Sequence, residues 1–421
     1  MAKLHQSSFS LDHEVLINIL ATQENILIIQ DLDGVCMSLV KDPLTREIER
    51  QYLKATRAFD GHFFVLTNGE HIGRRGVNRI VEKAFDERDL VKQQGLYLPG
   101  LAGGGVQWQD RYGNVSHPGI SDTEMAFLET VPQKIEASLR EFFQQHNGGF
   151  NSEKFDDYIQ ATVLENKVSP TVNLNVFHDV LSEQAIYVKL QQAMKNLTQN
   201  LLEEAGTMGF KNSFFVHFAP NLGRDEQGKE IIQPASENDS GTTDLQFMLR
   251  GAIKEAGVPF ILNHYYYLQT GNYPLGKEFN SRQAPQNKAE LLTLIKDNFD
   301  SKIMPTIIGI GDTVTSKAEQ NGDKLIFRRG GSDRGFLELI QAIGKEFESE
   351  NLVVYVDSSG GELKNRKPLK LNEQKTEVIE GIGDAKDTDD TLTLNVVFPG
   401  GYQQYTKVFQ EAASMRKQGN N

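Results

Sequence analysis

Ile26-Leu27-Ile28-Ile29-Gln30-Asp31-Leu32-Asp33-Gly34-Val35 is the stretch on which the fold turns. Its apolar run, bounded by polar residues and rich in isoleucine, reads as a strand buried on both faces, as in parallel sheets. The run passes straight into two aspartates and a glycine. Two other segments behave the same way: Phe63 to Leu66 leads into Thr67-Asn68-Gly69, and Thr306 to Ile310 into Gly311-Asp312-Thr313. In an open parallel sheet, ligands collect beyond the carboxyl ends of the strands. Three polar clusters far apart in sequence are therefore expected to meet at one place.

Helical stripes separate these strands. Val77, Ile80, Val81 and Ala84 form one, Leu291, Leu292, Ile295 and Phe299 a second, and Phe336, Leu339, Ile340 and Ile343 a third. Strand and helix alternating in both terminal portions predicts an α/β core assembled from two stretches of chain. From about Gly119 to Tyr273 the pattern changes. Leu190, Met194, Leu197 and Leu201 mark a long helix, Ser213 to Phe218 a strand, and Leu245, Met248, Leu249, Ala252 and Ile253 a further helix. This predicts an inserted α+β domain. The expected division is core 1–118, insert 119–275, and a second core part with C-terminal extension, 276–421. In that extension Leu352 to Val356 and Leu392 to Phe398 read as strands, Lys364 to Asp390 as a loop or mobile hairpin, and the end from Ser414 as frayed.

Composition narrows the function classes. Hydrophobic content of 38% and charged content of 24% are ordinary for a globular protein. No apolar run is long enough to span a bilayer, and the opening residues lack the apolar core of a signal peptide, so a cytoplasmic location is expected. Cys36 is the sole cysteine, which excludes an intrachain disulfide and a cysteine-built zinc site. The formal charge of −13 with no dense basic run argues against nucleic acid. A small phosphorylated substrate remains compatible, because local cations and a metal can outweigh the global field.

Asp31 and Asp33 stand two apart at a buried strand end, where desolvation and mutual repulsion call for a cation. Taken alone, an aspartate-rich turn explains them as well. Oxygen ligands at this density suit Mg²⁺, which bridges carboxylates to phosphate. Asp31 could then attack phosphorus and form an aspartyl-phosphate, with Asp33 protonating the leaving oxygen and later activating water. Thr67 and the amides after it could hold a phosphoryl oxygen. Asp312 would supply a further metal carboxylate. Lys288 starts the helix before that strand, 24 residues ahead of Asp312, and could neutralise the nucleophile and the transferring group.

In order and context, Asp31, Asp33, Thr67, Lys288 and Asp312 resemble the motifs of the haloacid-dehalogenase-like phosphatase superfamily. That resemblance implies a Rossmann-like core with a parallel sheet and a C2-type cap, with Leu98 to Asp110 as the core strand and turn before it. One position departs: the acid usual four residues after the Gly-Asp aspartate is Ser316 here, so Asp333 or water would fill the place. The runs 30–37, 65–71, 212–217, 219–225 and 311–316, with Tyr355-Val356-Asp357-Ser358-Ser359, further resemble the cyanobacterial glucosylglycerol-phosphate phosphatases. This second resemblance implies Mg²⁺-dependent hydrolysis of glucosylglycerol 3-phosphate to the compatible solute glucosylglycerol in salt acclimation. It also implies action beside glucosylglycerol-phosphate synthase. Sucrose- or trehalose-phosphate hydrolysis, phosphate transfer within a sugar, and a non-catalytic sugar-phosphate sensor are the alternatives.

A sugar headgroup offers only hydroxyls, so its pocket needs paired donors and acceptors. Asn68, Glu70 and His71 follow the threonine closely enough to reach a sugar. In the insert, His217, Asn221, Arg224, Asp225 and Lys229 follow a strand, and Thr242, Thr243 and Asp244 are expected to open a helix. Capping or surface roles account for each insert residue equally well.

Overall fold

The computed structural model describes residues 2–3, 10–146, 148–236, 239–321, 324–363 and 365–419. The first core portion runs through α1 (His13–Thr22), β1 (Ile26–Gln30), β2 (Phe63–Leu66), α2 (Val77–Phe85), β3 (Gly100–Ala102), β4 (Gln107–Gln109) and β5 (Val115–Ser116). The insert follows with α3 (Asp122–Gln145), β6 (Val163–Leu164), β7 (Thr171–Asn173), α4 (Gln184–Thr207), β8 (Phe214–Ala219) and β9 (Asp244–Leu249). The chain returns through α5 (Lys254–Thr270), α6 (Lys288–Asn298), β10 (Thr306–Gly311), α7 (Arg334–Glu346), β11 (Leu352–Val356), β12 (Val396–Phe398) and α8 (Gly401–Gly419).

The core sheet is ordered β12-β11-β10-β1-β2-β3-β4-β5, parallel through β3 with an antiparallel extension beyond it. Every residue of β1 is buried. Leu27 and Ile29 enter a cluster with Ile261, Leu291 and Leu337 of α5, α6 and α7. Ile26 and Ile28 enter the opposite cluster with Leu16, Val81 and Phe409 of α1, α2 and α8. Two covered faces explain why the strand reads as a continuous apolar run rather than an alternating one. Within the sheet, Ile28 sits between Ile308 and Phe63. The carboxyl ends of β10, β1 and β2 are thus neighbours, so Asp312, Asp31 and Thr67 emerge side by side, at strand spacings of about 4.8 Å.

The insert is a four-stranded antiparallel sheet, β6-β7-β9-β8. Leu245, Phe247 and Leu249 join Leu128 and Val131 of α3 and Leu190 and Met194 of α4 in its core. A capping box, Ser121 with Glu124, starts α3 and satisfies amides that the helix itself leaves free.

Three expectations change. Residues 245–253 form strand β9 and a turn, not a helix. The strand's sides alternate, with Leu245, Phe247 and Leu249 in the insert core and Asp244 and Gln246 lining the opposite cleft. Met248, also buried, masks that alternation in the sequence. The insert ends earlier than 275: Ala256, Val258, Ile261, Leu262 and Tyr265 of α5 lie in the core cluster with Leu27 and Leu66. Ser414 to Gly419 belong to α8, where Arg416 donates to the carbonyls of Leu20 and Gln23, while 420 and 421 lie outside the described residues. Within 364–390, residue 364 lies outside the described residues, and Lys370–Leu371 pairs with Val378–Glu380 as a hairpin. Among the described residues no helix is long and apolar enough to cross a membrane.

Candidate active site

Asp31 continues β1 by one residue, its N–H donating to the Ile310 carbonyl at 2.9 Å. Its Oδ1 accepts from the Leu32 amide at 2.8 Å, and its Oδ2 lies 2.7 Å from Lys254 Nζ. The same ammonium is 2.6 Å from Asp333 Oδ1. Asp333 Oδ2 accepts the backbone N–H groups of Asp312 and Thr313 at 2.8 and 2.9 Å. Asp312 Oδ1 accepts from Thr313 Oγ1 at 2.7 Å, while its Oδ2 is buried without a hydrogen-bond partner among the described residues. Oxygens of Asp31, Asp312 and Asp333 lie within 4.8 Å of one another. Gly34 closes around them at φ +80°, and a Cβ there would meet Asp312 Oδ2 at 2.2 Å. Only glycine both adopts that backbone and leaves that space.

Charge is out of balance in this cluster. Burial pushes the Asp31 carboxyl well above its usual range, and Asp333 and Asp312 add to the push against Lys254. Asp312 is pushed up to about 7, first by burial and then by Asp333. For Asp333 the upward pull of burial is outweighed by Lys254 and the two backbone amides, which hold it low. Burial disfavours the Lys254 charge, but Asp31 and Asp333 more than restore it. Three buried carboxylates thus face one ammonium, at hydrogen-bond distance from two of them, with the Arg366 guanidinium standing off at 3.9 Å from Asp312. The unpartnered Asp312 oxygen and the all-oxygen donor set fit a small, hard divalent cation, whose charge would redress the imbalance.

Lys288 is not brought to this place. Its side chain is 43% exposed and pairs with Glu338 on α7 at 2.6 Å. Lys254 holds the position expected for it. A cation in the first turn of a helix opposes the helix dipole, and that misplaced charge, just after Gly251-Ala252-Ile253, is the signal the sequence did contain. Asp33 also differs. Its Oδ1 turns to Arg46 Nε at 2.9 Å, so its carboxylate stands apart from the three clustered acids, although it lines the same cleft. Ser316 donates to Asp387, and Asp333 is the acid that lies with Asp31 and Asp312.

The expected substrate contacts divide. Thr67 is buried, its Oγ1 accepting from the Gly69 amide at 3.2 Å, and Asn68 Nδ2 is 2.9 Å from His217 Nε2. Glu70 is committed elsewhere, accepting from the amides of Lys167, Val168 and Ser169 at 2.9, 2.6 and 2.9 Å. His71 is fully buried, with Nε2 on the Gly100 carbonyl at 3.0 Å and Nδ1 on the Gln109 amide at 3.3 Å. Burial lowers it to about 4, so it stays neutral and structural. His217 Nδ1 pairs with Glu230 at 2.8 Å. Arg224, 3.8 Å from Glu255, lines a neighbouring cleft with His217, Asn68 and Lys254. Asp225 fastens a hairpin turn through the amides of Gln227 and Lys229, both at 2.9 Å.

Facing the aspartates across the cleft is the polar side of the insert sheet. Asp244 pairs in register with Asn173, and Gln246 lies one step along between Thr171 and His217. Among the described residues, Asp244 Oδ1 and Gln246 Oε1 are buried acceptors without partners. Burial pushes Asp244 up to about 7, against the pull of Arg46 and Arg366. Asn173, Gln246, Arg46 and Arg366 did not stand out in the sequence. The first two required β9 to be read as a strand, and Arg366 lies in a tail read as a loop.

The model of a family described as glucosylglycerol-phosphate phosphatase matches residues 25–413. The glucosylglycerol-phosphate phosphatase of Synechocystis sp. (strain ATCC 27184 / PCC 6803 / Kazusa) is 54% identical over 417 residues, 98% of either chain. Among solved structures, the C-terminal domain of the trehalose-6-phosphate phosphatase of C. albicans aligns over 97% of this chain and 99% of its own, with 10% identity and a TM-score of 0.43. The trehalose-6-phosphate phosphatase of Aspergillus fumigatus aligns over the same shares of each chain, with 10% identity and a TM-score of 0.37.

Proposed function

Since this chain belongs to the glucosylglycerol-phosphate phosphatase family, we propose that its cleft hydrolyses the phosphomonoester of glucosylglycerol 3-phosphate, with Asp31 as nucleophile. The protein is a phosphatase with glucosylglycerol phosphate as its substrate. The observation that carries the assignment of roles is the convergence of Asp31, Asp312 and Asp333 on one ammonium, with an Asp312 oxygen left unpartnered.

Asp31 Oδ1 or Oδ2 attacks phosphorus and becomes the aspartyl-phosphate, while the glycerol oxygen departs. Asp33, on the same cleft but outside the carboxylate cluster, gives that oxygen its proton and then takes one from the water that hydrolyses the acyl phosphate. Arg46 holds Asp33 in place for both steps. Lys254 fixes the Asp31 carboxylate and offsets charge on the phosphoryl oxygens, with Asp333 positioning Lys254 in turn. Thr67 and the amides following it receive a phosphoryl oxygen. Asp31, Asp312 and Asp333 are the residues that would hold Mg²⁺. When bound there, the ion supplies positive charge that screens the attacking carboxylate from the phosphate. The glucosyl hydroxyls then meet the open acceptors Asp244 Oδ1 and Gln246 Oε1 and the amide of Asn173. The setting, in the cytoplasm beside the synthase that makes the phosphate ester, belongs to the same reading.

The test is phosphate release from glucosylglycerol 3-phosphate with Mg²⁺ present. Asp31→Asn is expected to abolish it, and EDTA to suppress it in the wild type until Mg²⁺ is restored. Turnover retained by Asp31→Asn would remove the nucleophile assignment. A panel of sucrose and trehalose phosphates at matched concentration is expected to turn over more slowly.

A further inference from the structure

The segment after β11 crosses from the core toward the insert, and it is pinned along its length. The Glu362 amide donates to the Leu39 carbonyl at 2.9 Å, and the Glu362 carboxylate accepts from the Lys41 amide at 2.8 Å. Asn365 Nδ2 reaches the Gly241 carbonyl of the insert at 3.3 Å. The Leu369 amide then returns to Asp357 Oδ2 at 2.8 Å. Between these anchors the segment carries one guanidinium into the cleft, that of Arg366.

Arg366 Nη1 donates to Asn365 Oδ1 at 2.8 Å and Nη2 to Thr313 Oγ1 at 3.3 Å. Its Nε has no partner among the described residues, although only 10% of the side chain is exposed. The carboxylate nearest to Nε is Asp312 Oδ2 at 3.9 Å, too far for a hydrogen bond. Of the other cations lining the cleft, two hold carboxylates and the third is held through its terminal nitrogens, its Nε also unpartnered among the described residues. Lys254 holds Asp31 and Asp333, Arg46 holds Asp33, and the terminal nitrogens of Arg75 donate to the carbonyls of Val163 and Gln160. A guanidinium cannot shed its charge to escape burial. Held with an open N–H on the cleft beside the carboxylate cluster, it has a donor free for an anion brought in from outside.

We infer that Arg366 binds the phosphoryl oxygens of the substrate, and those of the inorganic phosphate released, as a phosphate-contacting residue supplied by the C-terminal segment. This rests on the reading that the Asp31 cluster is the phosphoryl-transfer site. The guanidinium fork matches phosphate geometry, and the segment's anchors to loop 39–41 and to Gly241 fix where it stands. Because the contact is to phosphate and not to the sugar, it should not depend on the headgroup.

The test uses the full chain with Mg²⁺ and titrates inorganic phosphate by calorimetry, beside turnover of glucosylglycerol 3-phosphate and of p-nitrophenyl phosphate. Arg366→Ala is expected to bind inorganic phosphate roughly 10- to 100-fold more weakly, as for a lost charge-assisted hydrogen bond. It should lose kcat/KM by similar factors on both esters. Wild-type phosphate affinity would overturn the inference whatever the activity, and a loss confined to the sugar ester would overturn it in favour of a headgroup contact. Arg366→Gln, which keeps the side chain's bulk and polar reach, decides by the same titration if the alanine variant melts early. Asp31→Asn keeps the two claims separate. Turnover retained there defeats the underlying reading, whereas phosphate affinity retained in both Arg366 variants defeats this inference alone.

Discussion

Lys254 and Lys288 differ in what each would take with it if removed. Lys254 is buried between two buried carboxylates, so truncating it leaves like charges facing each other in a low-dielectric site. Breaking one partner of a buried pair costs on the order of 3–5 kcal/mol. Lys254→Met is accordingly expected to lower the metal-free unfolding free energy by about 3 kcal/mol and to reduce kcat by roughly 1,000-fold, an order typical of lost electrostatic stabilisation. Lys288 is a half-exposed partner of Glu338, and such pairs contribute about 0–1 kcal/mol. Lys288→Met should stay within about twofold of wild-type activity, and urea melts beside phosphate-release assays read both variants. A dead Lys288→Met with a working Lys254→Met would reverse the assignment. The residue scale also shows where the sequence spoke clearly. Asp31, Thr67 and Asp312 were legible because each directly ends a continuous apolar strand. Lys254 was not, because a helix stripe read through 245–253 placed it in mid-helix, inside the insert.

At the scale of elements, β9 decides what the site can recognise. A strand presents alternate residues to opposite faces, so one strand both builds the insert core through Leu245, Phe247 and Leu249 and offers Asp244 and Gln246 to the cleft. A helix over the same residues would scatter those two side chains. The core strands escaped this ambiguity because both of their faces are buried and their runs are short and uniformly apolar. In β9 Met248, buried with the insert core cluster, completes an i, i+3, i+4 stripe with Leu245 and Leu249 by coincidence. Asp244→Ala tests the strand's role in recognition. The variant removes an open acceptor from the sugar side and leaves the Asp31 cluster untouched. KM for glucosylglycerol 3-phosphate should rise roughly tenfold, as for one lost hydrogen bond, with turnover of p-nitrophenyl phosphate unchanged. Equal losses on both esters would place Asp244 with the phosphate and not with the sugar.

Over the whole molecule, the cleft exists only while core and insert are held face to face, and the covalent crossings between them do not by themselves fix that geometry. Two ties add to them, one partly buried and one buried. Arg282, in the core segment after α5, grips Glu124 at the start of α3 with contacts of 2.8 and 2.7 Å. Glu70, three residues beyond Thr67, accepts three consecutive insert amides, 167 to 169, and the Ser169 hydroxyl at 3.0 Å. The second tie bears on function directly, because the chain it holds leads from Asn166 to Asn173 on the cleft wall. One carboxylate two positions after Asn68 thereby sets the distance between the phosphate side and the sugar side. Glu70→Ala would leave those amides buried without acceptors, at a cost of about 3 kcal/mol. Hydrogen exchange should then quicken across 165–173 while β1 keeps its protection, since local openings follow cooperative units. KM for the sugar ester should rise more than kcat falls. Uniform loss of protection in core and insert alike would instead make Glu70 a general stability residue and leave the seam to Arg282.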